Sequence, residues 1–214
     1  MNHFAPIHAP LRLLGALTLL FAWQTGCVGL PTAPSSVGGD LVLSGRTVTA
    51  AAETIFESDE RPTLAFHFDH AYCVCEGRQN ATFVLIQGDE ENPTAAATIR
   101  ILWRPEAGST PIDEHASNAT LHVMRFGADA AEVYSGAGFV FLNDGPDAAK
   151  VSAECWSADV VLQDAASKGK DPLGPAHASG AFTAEQDAVK VADLLLRLSR
   201  KVSAQLGYPR LVRK

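Results

Sequence analysis

The chain has 214 residues, 47% of them hydrophobic and 19% charged, so it can bury a core and is not a disordered polymer. Its net charge of −7 hides an asymmetry: residues 190–214 hold seven of the seventeen Lys and Arg side chains and one of the twenty-four carboxylates. The acidic remainder lacks the clustered cations that phosphate contacts need, which argues against nucleic acid as a partner. Only the basic C-terminal segment suits an anionic surface.

The first feature along the chain is an apolar run at residues 13–23, with Arg12 ahead of it and Gln24-Thr25-Gly26-Cys27 behind. At ~1.5 Å per helical residue it is too short to cross the ~30 Å hydrocarbon core of a bilayer. A basic flank, a short apolar core and small residues form the layout of a secretory signal at residues 1–26. Ending on Gly26-Cys27, this segment resembles a bacterial lipoprotein signal peptide. The resemblance implies cleavage ahead of Cys27, a diacylglycerol on its thiol and a fatty acid such as palmitate on the new N-terminus. It also implies a cell-envelope location, with the membrane as partner through Cys27. In a Gram-negative cell, Val28 in place of Asp implies the outer membrane. Residues 27–39 then read as the lipidated cysteine and a flexible tether, uncharged and rich in Gly and Pro.

From residue 40 onward apolar and polar side chains alternate. Leu64, Phe66 and Phe68 alternate with Ala65, His67 and Asp69, and Leu121 and Val123 with His122 and Met124. Ile99, Ile101 and Trp103 alternate with Arg100, Leu102 and Arg104. Runs at 82–87, 133–142 and 151–163 are rich in β-branched and aromatic residues, and turn-forming clusters lie at 88–93, 105–118, 143–146 and 167–175. Gly136 and Gly138 inside one run suit a bulge or bend. Seven or eight short strands without helical crossovers predict a mainly β domain over residues 40–207, an antiparallel β-sandwich closed by one C-terminal amphipathic α-helix.

That helix is predicted over residues 184–206. Thr183 and Gln186 have capping-box spacing, and Val191, Leu195, Leu198, Val202 and Leu206 share one face, widened by Leu194 and Leu196. Asp193 and Arg197 are placed for an i,i+4 pair, Gly207 supplies the stop, and residues 208–214 form a basic tail. The short connection from the preceding strand-like Ala181-Phe182 favours docking of the apolar face onto the same domain.

Chemistry-bearing residues are sparse. His67, Asp69 and His70, followed by Cys73 and Cys75, are the densest group of metal-ligand types, although their spacing matches no standard zinc pattern. Acidic clusters at 89–91, 113–114 and 144–147 match no EF-hand loop. In an oxidising compartment Cys155 is expected to form a disulfide with Cys73 or Cys75, leaving one thiol. No nucleophile elbow, phosphate loop or dinucleotide fingerprint is present. These features give a non-catalytic binding or structural module, needing no cofactor, with an envelope protein as a further partner. Two alternatives stand beside it: a metal- or ligand-handling protein using residues 67–75, and a secreted enzyme whose site has no sequence motif.

Overall fold

The computed structural model describes residues 36–45, 62–105, 116–128, 130–165 and 171–210. The signal segment, Cys27, the tether as far as residue 35 and the tail from residue 211 lie outside these residues. Among the described residues nine strands and one helix follow in chain order: β1 Gly38–Gly45, β2 Thr63–Phe68, β3 His70–Glu76, β4 Asn80–Gly88, β5 Pro93–Ile101, β6 Ala119–Phe126, β7 Ala131–Leu142, β8 Lys150–Ala165, β9 Ala176–Gln186 and α1 Ala188–Leu206. The last residues of the expected tether belong to the fold, because Gly38 and Gly39 open β1 and Val37 packs on the core.

The domain is a closed barrel, which corrects the expected sandwich. β3 to β8 form an antiparallel meander, β8 pairs with β9, and β9 closes the ring by a parallel contact with β3 at Tyr72↔Glu185 and Cys73↔Gln186. The result is a seven-strand barrel, β3 to β9, with β1 paired to the rest of the β9 edge and β2 paired to β1, so that their inward side chains join the same core. Alternation along a strand states which side chains face inward, and it is the same in a sandwich and a barrel. What decides between them is whether the two terminal strands meet. Here they do, because β9 pairs with β8 along one edge and with β3 on the other.

Inward residues fill the lumen: Leu41, Phe68, Phe83, Leu85, Ile99, Leu121, Tyr134 and Phe182 are all buried within it, and Phe83 meets Phe182 edge to face at 5.2 Å. A second apolar layer lies outside the wall. Val84, Ile86, Ala96, Met124, Phe126 and Val133 point outward and are covered by Val191, Leu194, Leu195, Leu198 and Val202 of α1. This explains the unbroken apolar run in β4, whose Phe83 and Leu85 face the lumen while Val84 and Ile86 face the helix.

The helix begins four residues later than its sequence signal. Thr183 and Gln186 complete β9, where Thr183 pairs with Ser152 and the Gln186 side chain donates to Pro146 O at 2.6 Å. The cap is Asp187, which accepts from Lys190 N at 2.9 Å. Closing the barrel occupies the residues that would otherwise have formed the capping box. Gly207, at φ 78°, ends the helix as expected, and Asp193 pairs with Arg197 at 2.8 Å. Leu194 is buried, but Leu196 faces solvent at 51% exposure, so the apolar face is narrower than the sequence implied.

One turn holds the helix in register. Glu90, Glu91 and Asn92, between β4 and β5, bind Lys190, Arg197 and Lys201 respectively. Glu90 also accepts from Tyr72 Oη at 2.5 Å, and the Lys190 ammonium lies 5.5 Å from the Tyr72 ring centroid. Burial would raise the Glu90 pKa, but hydrogen bonds from Lys190 and Tyr72 outweigh it and hold the carboxyl below its usual 4.5.

Two outcomes are expected. Leu195→Asp sets an unpaired charge under the helix and should destabilise the domain by about 3 kcal/mol or more, lowering the melting midpoint by roughly 6–12 °C, whereas Val189→Asp on the exposed face should leave it unchanged. A carboxyl with a lowered folded-state pKa stabilises the fold above its unfolded pKa and loses that contribution as pH falls through the folded value. The gap in melting midpoint between wild type and Glu90→Gln should therefore be full above pH 4.5 and close on acidification below it.

Candidate functional site: an aromatic ledge on the barrel wall

The cysteines do not meet. Cys73 Sγ lies 3.8 Å from Ala184 O and Cys155 Sγ lies 3.6 Å from Ala178 O, so both face the lumen against the same strand, β9. Those carbonyls are six residues apart, about 20 Å at ~3.3 Å per strand residue, while a disulfide needs Cα atoms within roughly 7 Å. The expected bridge is thus absent, and Cys73, Cys75 and Cys155 are free thiols. Burial pushes the Cys73 and Cys155 thiols up to about 12, which keeps both protonated and unreactive. Cys75 is half-buried; burial raises its pKa and the neighbouring Arg104 opposes the rise.

The candidate metal ligands diverge. His67 Nδ1 is 2.7 Å from Asp40 Oδ1, Asp69 accepts from Gly88 N at 2.7 Å, and His70 lies 3.9 Å from Glu90. Among the described residues no three His, Cys, Asp or Glu side chains converge on a common point. The acidic cluster at 89–91 is the turn that clamps α1, and Asp144 accepts from Ser152 N at 2.7 Å. Residues 113–114 lie outside the described residues.

One pairing was invisible in the sequence: His122 on β6 and Ser135 on β7 are register partners, with Nδ1 2.7 Å from Oγ. Burial and the nearby Arg210 lower the His122 pKa, favouring a neutral ring. A serine beside a neutral histidine has the elements of an activated nucleophile, but Ser135 is only 3% exposed and no substrate carbonyl can approach it. It acts as a cross-strand hydrogen bond. A groove of about 170 Å³ follows the seam between α1 and β3–β5, lined by Val74, Thr82, Val191 and Leu195 among others. It is smaller than the ~300–1,000 Å³ usual for small-molecule sites.

The remaining feature is an aromatic ledge. Phe139 and Phe141 alternate onto the outer face of β7, with ring centroids 4.7 Å apart. Trp103, just beyond β5, packs edge-on against Phe139 at 5.9 Å, and Trp156 on β8 packs against Phe141 at 4.4 Å. Trp156 remains 42% exposed, whereas Trp103 and Phe141 are half-buried and Phe139 is buried. The indole N–H of Trp156 donates to Glu154 at 3.3 Å, and Asn143 donates to the other oxygen of the same carboxylate at 3.0 Å.

A β-bulge positions Trp156. On β7 the register steps from Phe139↔Ser157 to Val140↔Cys155, so Trp156 is the extra residue and opposes neither. The neighbouring register explains the glycines: a Cβ on Gly138 would lie 2.1 Å from Ser157 O, and one on Gly136 1.7 Å from Asp159 O. Only glycine admits β8 this closely. The bulge or bend expected at Gly136 and Gly138 is not there: both pair in regular register with Val160 and Ala158, and the register shifts one step further on, at Phe139 and Val140, with the extra residue on the opposite strand. A pair of aromatics two apart across a glycine-bearing strand was the available signal, and the apolar letters alone did not separate it from core.

The thiol assignment is directly checkable. Alkylation of the native protein without reductant should spare Cys73 and Cys155, and alkylation after unfolding, still without reductant, should modify Cys73, Cys75 and Cys155 together. Peptide mass spectrometry reads both states, and a linked Cys155 peptide would contradict the structure.

Comparisons with known proteins add no relative: no protein-family model matches the chain, and no curated protein or solved structure matches it significantly.

Proposed function

We propose that the protein is a lipid-anchored module of the cell envelope that binds a partner through the aromatic ledge, without catalysis. The anchoring half of this reading rests on the lipoprotein-like segment ending at Gly26-Cys27. The binding half rests on one observation, a bulge that turns Trp156 outward onto Phe141 on a rigid barrel wall. The filled lumen supports a surface site over an enclosed one. Tryptophan and phenylalanine give large contact area with few rotatable bonds, which is why they dominate binding hot spots. Of the four rings Trp156 alone is exposed, with Trp103 and Phe141 half-buried and Phe139 buried beneath them, so the indole is the part of the ledge that a partner would touch.

The two halves are tested separately in cells. Cys27→Ser should abolish fatty-acid labelling and release the protein from the membrane fraction; unchanged labelling and fractionation would reject the anchor. A photo-reactive benzophenone side chain placed at position 156 should give an adduct of defined mass, and the same group at position 189, which is 81% exposed on α1, should not. No adduct from 156, or equal adducts from both, would reject the ledge as the contact surface.

A further inference from the structure

Strand β2 leaves one edge of the sheet open. It stands first in the sheet order and, among the described residues, pairs only with β1. Asp69 N, immediately after it, donates to Ile86 O of β4 at 2.9 Å, so β4 takes over where β2 stops. Successive amides of an extended strand point to opposite sides. The amides of Thr63, Ala65 and His67 therefore face the side that Asp69 faces, where no described strand lies. Those three residues are also the exposed ones, whereas Phe66 and Phe68 are buried in the core. Within Thr63–Phe68 there is no Lys, Arg, Asp, Glu or Pro and no bulge, so the strand carries no charged or proline side chain of the kind that blocks edge pairing.

We propose that this edge is an interface that takes β2 of a second copy of the chain, antiparallel, about a two-fold axis through Ala65. The inference is independent of the aromatic ledge. With Ala65 opposite the partner's Ala65 and Thr63 opposite the partner's His67, every outward N–H and C=O of Thr63, Ala65 and His67 acquires a partner on both chains. A two-fold axis at Leu64 or Phe66 would instead oppose residues whose amides already point to β1. An axis at His67 would set two imidazoles against each other. The Ala65 register alone uses all three edge residues, brings no charge against a like charge, and places Leu64 beside the partner's Phe66. The contact is isologous and closes at two copies.

The test uses the full chain in its membrane. Paired residues in this geometry have Cα atoms about 5.5 Å apart, within the range that a disulfide spans. Ala65→Cys should therefore give a dimer-sized band on a non-reducing gel after mild oxidation, and wild type and Val189→Cys should not. In detergent, sedimentation should show wild type as a dimer and Ala65→Pro as a monomer. The Ala65 amide has no strand partner within the described chain, so its removal should leave the melting midpoint unchanged. Where Ala65→Pro melts early, Ala65→Lys, which keeps the backbone and sets two like charges at the axis, should raise the dissociation constant at least tenfold. A monomeric wild type would overturn the proposal. So would an Ala65→Cys product linked to a chain of different mass, or equal cross-linking of Ala65→Cys and Val189→Cys.

Discussion

Strand β9 has two edges and three partners, and the fold depends on how it divides them. One edge is given to β8 from Ala176 to Glu185. The other is shared: β1 takes Ala176 to Thr183, and β3 takes only Glu185 and Gln186. That two-residue parallel contact is what makes a ring of the sheet. Parallel pairs are no stronger per residue than antiparallel ones, so closure does not rest on those hydrogen bonds. It rests on the apolar side chains that the ring encloses, at ~25 cal/mol per Å² removed from water. The same contact fixes the helix, because Asp187 follows Gln186 directly, donates its own N–H to Cys73 O at 2.9 Å, and caps α1. Helix and barrel therefore have a single origin.

Charge then aligns what apolar packing holds. The sequence asymmetry, acidic body against basic C-terminal segment, is resolved at one turn, where Glu90 and Glu91 meet Lys190 and Arg197. Exposed ion pairs contribute ~0–1 kcal/mol each, less than the burial of one leucine. They cannot be what keeps α1 down. Three successive turn residues reaching Lys190, Arg197 and Lys201 do, however, select one axial position of the helix over a slip by a turn, since a slipped helix would present other side chains to them.

Local periodicity was legible in the sequence and closure was not. Leu64, Phe66 and Phe68, Ile99 and Ile101, and Leu121 and Val123 face inward as their alternation implied, and Val191, Leu195, Leu198 and Val202 form the docked helical face. Failures arose where a distant strand competed with a local signal. Thr183 had a capping partner three residues on, but β8 and β3 claimed it and its neighbours for β9. Cys73 and Cys155 had compatible faces, but height along β9, which no single strand encodes, kept them apart. The ledge was missed for a related reason: apolar alternation in β7 looks the same whether Phe139 and Phe141 face a core or form an outer surface.

The bulge itself separates what the fold requires from what it does not. Before it, the inward residues of β8 are Val151, Ala153 and Cys155; after it, they are Ala158 and Val160. The phase shifts by one, and as an unbroken strand the same sequence would turn Ser157 and Asp159 into the lumen in place of Ala158 and Val160. A bulge between Cys155 and Ala158 is therefore obligatory for this sequence. The identity of the inserted side chain is not. It lies on the outer face against Phe141, away from the lumen, and serine or lysine there would leave the core unchanged. A tryptophan left 42% exposed keeps much of its apolar surface in water and contributes less to stability than a buried one. Folding explains the bulge at position 156 but not an indole there, packed on Phe141 and tied to Glu154.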